Sequence, residues 1–214
     1  ACPVELASGV WHDLHDRRVF ALVRRWIIQR RVWYVHFGTP CTHWSVTTSA
    51  DARTRHEGSG LTAARRTLSL LKMCRQYRIQ WSLENPASSR LWSWPPLQAF
   101  LSFNVVFKVR VDYCCWGCRY LKPTVLYTSS EDLLALGSRC QGGHLHEHLQ
   151  GTVRLASSGK TYWKTSLAGR YPPSLCRRWA QIVGSIAPRG AWNSEAGLLV
   201  RHDWEDQMAL ACGH

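Results

Sequence analysis

Two short apolar runs in this chain each stop at residues that a buried strand does not continue through. Val32-Trp33-Tyr34-Val35-His36-Phe37 reads as a strand closed by the loop Gly38-Thr39-Pro40-Cys41. Ile79-Gln80-Trp81-Ser82-Leu83 reads as a second strand closed by Glu84-Asn85-Pro86. A helical pattern lies between them, so both strands are expected to run the same way in one sheet. Their carboxyl ends then share an edge, which in open α/β sheets is where ligands bind. A thiol and a carboxylate would meet there.

The rest of the pattern alternates helix and strand. Asp16 predicts a helix cap, and Val19, Leu22, Val23, Trp26 and Ile27 form a stripe at helical spacing through about Gln29. Thr47 to Gly60 is polar, carries two glycines and reads as a mobile loop. Ser59 then caps a second helix whose stripe is Leu61, Ala64, Leu68 and Leu71. Pro95-Pro96 open a short helix to about Leu101. Val105, Phe107, Val109 and Val111 alternate with Val106, Lys108, Arg110 and Asp112, a strand with one buried face. Thr124 to Thr128 reads as a strand, Glu131 to Ser138 as a helical turn, and Leu175 to Ile186 as a helix introduced by Pro172-Pro173. The expected fold class is α/β with a mostly parallel sheet.

Composition narrows the partner. The 214 residues suffice for one domain, and 45% hydrophobic with 19% charged residues fits a globular chain. No apolar run approaches the roughly 20 residues that cross a bilayer, and no secretory leader is visible, so no membrane partner and an intracellular place (nucleus, nucleoid or cytoplasm) are expected. The chain begins at Ala1, which reads as a fragment or a processed product. The formal net charge of +13 favours a polyanion. Twelve tryptophans add stacking surfaces for unpaired bases, although most Trp residues serve cores and interfaces. Nine irregularly spaced cysteines argue for free thiols in a reducing compartment rather than a disulfide framework.

Cys41 is the candidate nucleophile, in an accessible strand-end loop with Arg30, Arg31, His36 and His43 nearby in sequence to favour the thiolate. Taken alone, a free cysteine is more often a small buried hydrophobe. Glu84 is the candidate acid, since a carboxylate at the end of an apolar run needs a partner. Its bland alternative is a turn or capping carboxylate.

Together, Gly38-Thr39-Pro40-Cys41 and Glu84-Asn85-Pro86 resemble the signature of cytosine-C5 DNA methyltransferases, in which a Pro-Cys loop supplies the nucleophile and Glu-Asn the base-binding acid. Val4-Glu5-Leu6-Ala7-Ser8-Gly9 resembles the start of that family's first cofactor motif. Asp112-Tyr113-Cys114-Cys115-Trp116-Gly117 followed by Lys122-Pro123-Thr124 resembles its Gln-x-Arg-x-Arg segment in a phage-like form. Ala168-Gly169-Arg170-Tyr171-Pro172-Pro173 resembles its last motif.

The resemblance spans about residues 1 to 183 and implies a Rossmann-like, S-adenosylmethionine-dependent domain over residues 1–186. A short insert at 129–167 would stand in place of a target-recognition domain, and 187–214 would be a tail. The implied roles are Cys41 attacking C6 of a flipped cytosine, Glu84 holding its N3 and amine, and Lys122 steadying phosphate or base. The implied cofactor residues are Leu6, Ser8, Gly9, Asp13, Pro40, Gly169 and Arg170, and the implied partner is double-stranded DNA bound by a monomer. Asp13 reads equally as a helix-start residue. The stretch from Gly9 to Pro40 is shorter than the two strand–helix units of a doubly wound half, so the N-terminal half is expected to be incomplete. A basic nucleic-acid-binding relative without turnover is the competing reading. Cys115, Cys118, Cys140 and His144 are weak zinc candidates, with half of a Cys-x-x-Cys pattern in Cys115-Trp116-Gly117-Cys118.

Overall fold

In a computed structural model, the structure describes residues 13–154 and 161–188. Helix α1 (Arg17–Ile28) starts where Asp16 accepts the Arg18 backbone N–H at 2.7 Å, and it buries the expected stripe. Strand β1 (Tyr34–Gly38) follows, then α2 (Ala50–Gln76) and β2 (Gln80–Pro86). Helix α3 (Pro95–Ser102), β3 (Phe107–Asp112), β4 (Pro123–Thr128) and a 3-10 turn at Glu131–Leu136 come next. A two-stranded hairpin of β5 (Thr152–Arg154) and β6 (Thr161–Trp163), the short α4 (Lys164–Leu167) and α5 (Pro173–Ser185) complete the described chain.

The main sheet has the order β1-β2-β4-β3. β1 and β2 are parallel, but β4 runs antiparallel to both β2 and β3. The expectation of a mostly parallel sheet is therefore corrected: two of the three pairings are antiparallel. The physical reason is the connection between β3 and β4. It holds a 3-10 turn at Tyr113–Trp116 and a few loop residues, too short for a crossover helix, so the chain folds back beside β3. The established description is a mixed α/β fold.

Two apolar layers cover the sheet. α2 and α3 pack on one face with Phe37, Trp81 and Leu83, and α5 with the Glu131–Leu136 turn packs on the other with Val109, Val111 and Leu126. Strand alternation therefore sends Val35 and Phe37 toward α2, and Tyr34 and His36 toward α5.

Two local expectations change. Ala50 to Gly60 of the expected loop are instead the first turns of α2, capped by Ser49, whose hydroxyl accepts the Ala52 N–H at 3.3 Å. Polar residues and two glycines masked that start, because all but Gly60 leave the first turns exposed or half-buried and the apolar stripe begins later. Gly60 is needed for packing: a Cβ there would overlap the His43 side chain in the Cys41 loop. The β3 strand begins at Phe107, and Val105 is left 84% exposed.

Candidate active site

The register pairs Gly38 with Glu84, so the Pro40-Cys41 loop leaves β1 beside the Glu-Asn-Pro end of β2. Parallel pairing is what brings the two motifs to one edge. Asn85 locks them together. Its buried amide donates to the Thr39 carbonyl at 2.7 Å, one residue before Pro40. Behind the loop the Thr39 and Thr67 hydroxyls lie 3.1 Å apart, tying it to α2. Within it the Trp44 N–H donates to the Cys41 carbonyl at 2.9 Å, and Trp44 is buried in the core.

Glu84 is buried and shares the α5 face of β2 with Ser82. Tyr171, from the turn before α5, donates its hydroxyl to Glu84 Oε2 at 3.0 Å. That contact belongs to a chain of side chains whose proton directions can be assigned. The Trp179 indole can act only as donor, and it gives its N–H to Tyr34 Oη at 2.8 Å. Tyr34 then donates to Ser82 Oγ (2.5 Å), and Ser82 to His36 Nδ1 (2.8 Å). His36 carries its proton on Nε2 and donates to Tyr171 Oη at 2.9 Å. The relay requires a neutral imidazole. Burial supplies one, pushing the His36 pKa down to about 4. Tyr34 is pushed up to about 12 by the same loss of solvent.

The other carboxylate oxygen, Glu84 Oε1, is buried and has no hydrogen-bond partner among the described residues. Burial raises the Glu84 pKa above the usual carboxylate value, partly opposed by the Lys122 ammonium and by Tyr171. Lys122, half-buried at the start of the β4 segment, lies over the Tyr113 ring, with Nζ 4.6 Å from the centroid. Its charge acts on Cys41 as well. The thiol is raised above its ordinary value by loss of solvent, lowered by Lys122 and raised again by Glu84. Cys41 as a residue remains exposed at the sheet edge. The expected depression of the thiol pKa by neighbouring positive charge is corrected: desolvation outweighs it. His36 faces the relay as a neutral ring, and the compensating cation is Lys122.

Cys41, Glu84 and Lys122 are thus one electrostatic group. The cofactor expectations fare differently. Leu6, Ser8 and Gly9 lie outside the described residues. Asp13 accepts the His15 N–H at 2.8 Å in the turn before α1, and none of its hydrogen bonds reaches Cys41 or Glu84. Pro40 is exposed in the Cys41 loop, while Gly169 and Arg170 are exposed immediately before Tyr171. Tyr171 and Asn85 lie inside the quoted motifs, but their work, the Glu84 hydrogen bond and the Thr39 tether, is visible only in the fold, as is the relay. The available signal was the polar alternation of Tyr34 with His36 and of Ser82 with Glu84 on neighbouring strands.

The zinc candidates are also rearranged. The ligand atoms that converge are those of Cys114, Cys140, His144 and His146. Cys115 is exposed outside that group, and Cys118 packs against the apolar layer under α5. A cavity of about 400 Å³ opens at the opposite end of β2, around Gln80, Trp81, Arg75 and Arg78, remote from the thiol and carboxylate. No family model, no curated protein and no solved structure matches this chain.

Proposed function

We propose that this chain is a cytosine-C5 DNA methyltransferase-like protein that attacks a flipped cytosine through Cys41. The observation that carries the reading is Glu84 Oε1, a buried and unpartnered oxygen at the strand edge shared with the Cys41 thiol and the Lys122 ammonium. Cytosine offers what this set lacks. Its N3 and exocyclic amine form an edge that one carboxyl group can span: a protonated oxygen donates to N3 and the other accepts from the amine. The raised Glu84 pKa favours that protonated form.

The chemistry available to these residues is addition. Cys41 Sγ bonds to C6, the C5=C6 π pair moves toward C5 and the ring, and N3 takes the Glu84 proton. Lys122 favours the thiolate before attack. The Tyr171–His36–Ser82 relay fixes Glu84 Oε2 and leaves Oε1 free for the base. Asn85 holds the nucleophile loop at the matching height. A duplex base would have to leave its stack to reach this edge, and the +13 charge supports a phosphate-rich partner.

S-adenosylmethionine is the methyl donor this reading requires. Of the described residues read for it, Asp13 is hydrogen-bonded within its own turn, Pro40 is exposed in the Cys41 loop, and Gly169 and Arg170 are exposed just before Tyr171. The derived chemistry therefore reaches the adduct and stops there. Addition without methyl transfer makes C5 transiently basic, so cytosine C5–H should exchange with solvent deuterium in bound DNA. Exchange abolished in Cys41→Ser and Glu84→Gln supports the proposal. Intact exchange in Cys41→Ser, or none with the unmodified protein, rejects it.

A second reading has an observation behind it. β1 is an edge strand among the described residues, whereas a doubly wound cofactor domain continues its sheet past that position. This favours a nucleic-acid-binding relative without turnover. Calorimetry with S-adenosylmethionine separates the two, since heat of binding fits the enzyme and its absence at millimolar ligand fits the binding module.

A further inference from the structure

We propose that Cys114, Cys140, His144 and His146 form a tetrahedral Zn²⁺ site that fastens the 139–151 segment to the end of β3. The four ligand atoms, two sulfurs and two imidazole nitrogens, all lie within 4.8 Å of one another. A zinc ion with Zn–S near 2.3 Å and Zn–N near 2.0–2.1 Å sets S···N edges of about 3.6 Å. Cys140 Sγ lies 3.6 Å from His146 Nε2 and 3.9 Å from His144 Nε2. Cys140 and the two imidazoles are therefore almost at coordination spacing, and the Cys114 sulfur lies within 4.8 Å of each. Two thiolates with two imidazoles suit zinc, and hard cations such as Mg²⁺ or Ca²⁺ prefer oxygen. All four positions are filled by the chain, which makes the site structural, with no open place for substrate or water.

The backbone around the cluster is arranged as a metal shell. Cys140 is held by its N–H donating to Asp112 Oδ2 at 2.9 Å, and Asp112 is itself buried and paired with Arg110 at 2.9 Å. The Gly142 N–H points at Cys140 Sγ at 3.4 Å, a contact that would help hold a thiolate. On the other side Glu147 N–H donates to the Arg119 carbonyl at 2.8 Å, closing the loop back onto the segment that follows Cys114. The two rings stand edge to face, with centroids 4.4 Å apart, so both nitrogens converge without stacking.

The surrounding segment gives the site a purpose. From Arg139 to Gly151 no residue is buried, none lies in a helix or strand, and Leu145 is 99% exposed. A loop of this length without an apolar anchor is uncommon in a compact domain unless something else orders it. A bound metal supplies that order in place of a core. The same ion would brace the Tyr113–Trp116 turn. Tyr113 stacks under Lys122, and Trp116 donates its indole N–H to Ser138 at 2.7 Å. Zinc would thereby link the 139–151 segment to the residue that tunes both Cys41 and Glu84.

The test uses the full chain, purified without a histidine tag and dialysed against trace Zn²⁺. Metal analysis is expected to find one zinc per chain. Cobalt in its place is expected to give the intense visible bands and thiolate charge transfer of a tetrahedral sulfur–nitrogen site. Cys140→Ser and His146→Ala should lower zinc affinity by at least about tenfold. Cys115→Ser, one residue from a ligand, should bind as the parent does. Where a cysteine variant is insoluble, His144→Ala read by cobalt spectra serves the same purpose. Trypsin cleavage after Arg139 should accelerate on chelation in the parent and be insensitive to chelator in His146→Ala. Substoichiometric zinc in the parent, octahedral cobalt spectra, or equal loss in Cys115→Ser would overturn the assignment.

Discussion

Lys122 and Glu84 act on the same sulfur with opposite signs, which makes the thiol a reporter of the site. Lys122→Met removes the charge that lowers the Cys41 pKa, so iodoacetamide labelling of Cys41 at neutral pH should slow. Glu84→Gln removes the ionised form that raises it, so labelling should quicken at the pH values where Glu84 is ionised. Each full pKa unit changes the thiolate population about tenfold below the pKa, and peptide mass spectrometry across pH reads both curves. Superimposable curves would mean that the three groups do not share a site. Asn85→Ala leaves the Thr39 carbonyl without its buried donor and should lower unfolding stability by about 1–3 kcal/mol. His36 carries a pH signature of its own. Its folded pKa is lowered from 6.5 to about 4, so the unfolded chain takes up the proton first on acidification. The stability this contributes is full above about pH 6.5 and is lost as pH falls toward 4, by up to about 3 kcal/mol. Urea midpoints measured over that window should fall with pH, and less steeply in His36→Gln.

Two of the three helix-to-strand connections in the main sheet, α1–β1 and α2–β2, use the same device, a non-glycine residue in the left-handed region. Arg30 (φ 54°) ends α1 and Arg78 (φ 57°) ends α2. In each case the next residue donates back into the last turn, Arg31 N–H to Trp26 and Ile79 N–H to Cys74, at 2.9 and 2.8 Å. Glycine is the usual residue there because it has no Cβ to strain. Arg30→Gly and Arg78→Gly should each stabilise the fold by about 1 kcal/mol, measured by thermal or urea unfolding. The helices were legible where pattern and cap coincide. Asp16 with the Val19–Ile27 stripe gave α1 almost to the residue, and Pro95-Pro96 gave the start of α3. α2 was half legible. Its apolar stripe was visible, but its first turns pack on little beyond the His43 loop, so Ser49 was the only local mark of where it begins. The antiparallel β4 escaped for a different reason: its residues look the same in either direction, and the reversal is set by the short β3–β4 connection.

At the scale of the molecule, the edge that joins Cys41 to Glu84 was legible because two punctuated apolar runs flank a helix, and parallel pairing follows from that order. The relay behind Glu84 was not, because Tyr171 and Trp179 arrive from residues about ninety positions further on, and no local pattern encodes that meeting. The zinc ligands were half legible for the same reason: Cys140 and His144 were singled out, but which upstream cysteine meets them depends on the turn after β3. The excess of 27 Lys and Arg over 14 Asp and Glu makes a whole-molecule expectation. Affinity for duplex DNA should fall linearly with log salt, with a slope of about −0.9 per phosphate contacted. A flat salt response would remove nucleic acid from the account. The central claim is that one sulfur and one carboxyl oxygen close on a single pyrimidine, and a covalent trap tests it most directly. DNA carrying 5-azacytosine, whose ring takes a proton at N5 once sulfur has added to C6 and so needs no methyl donor, should yield with the protein a denaturation-resistant complex mapped to Cys41 and absent in Cys41→Ser. A complex that persists in Cys41→Ser, or that maps to another cysteine, would contradict it.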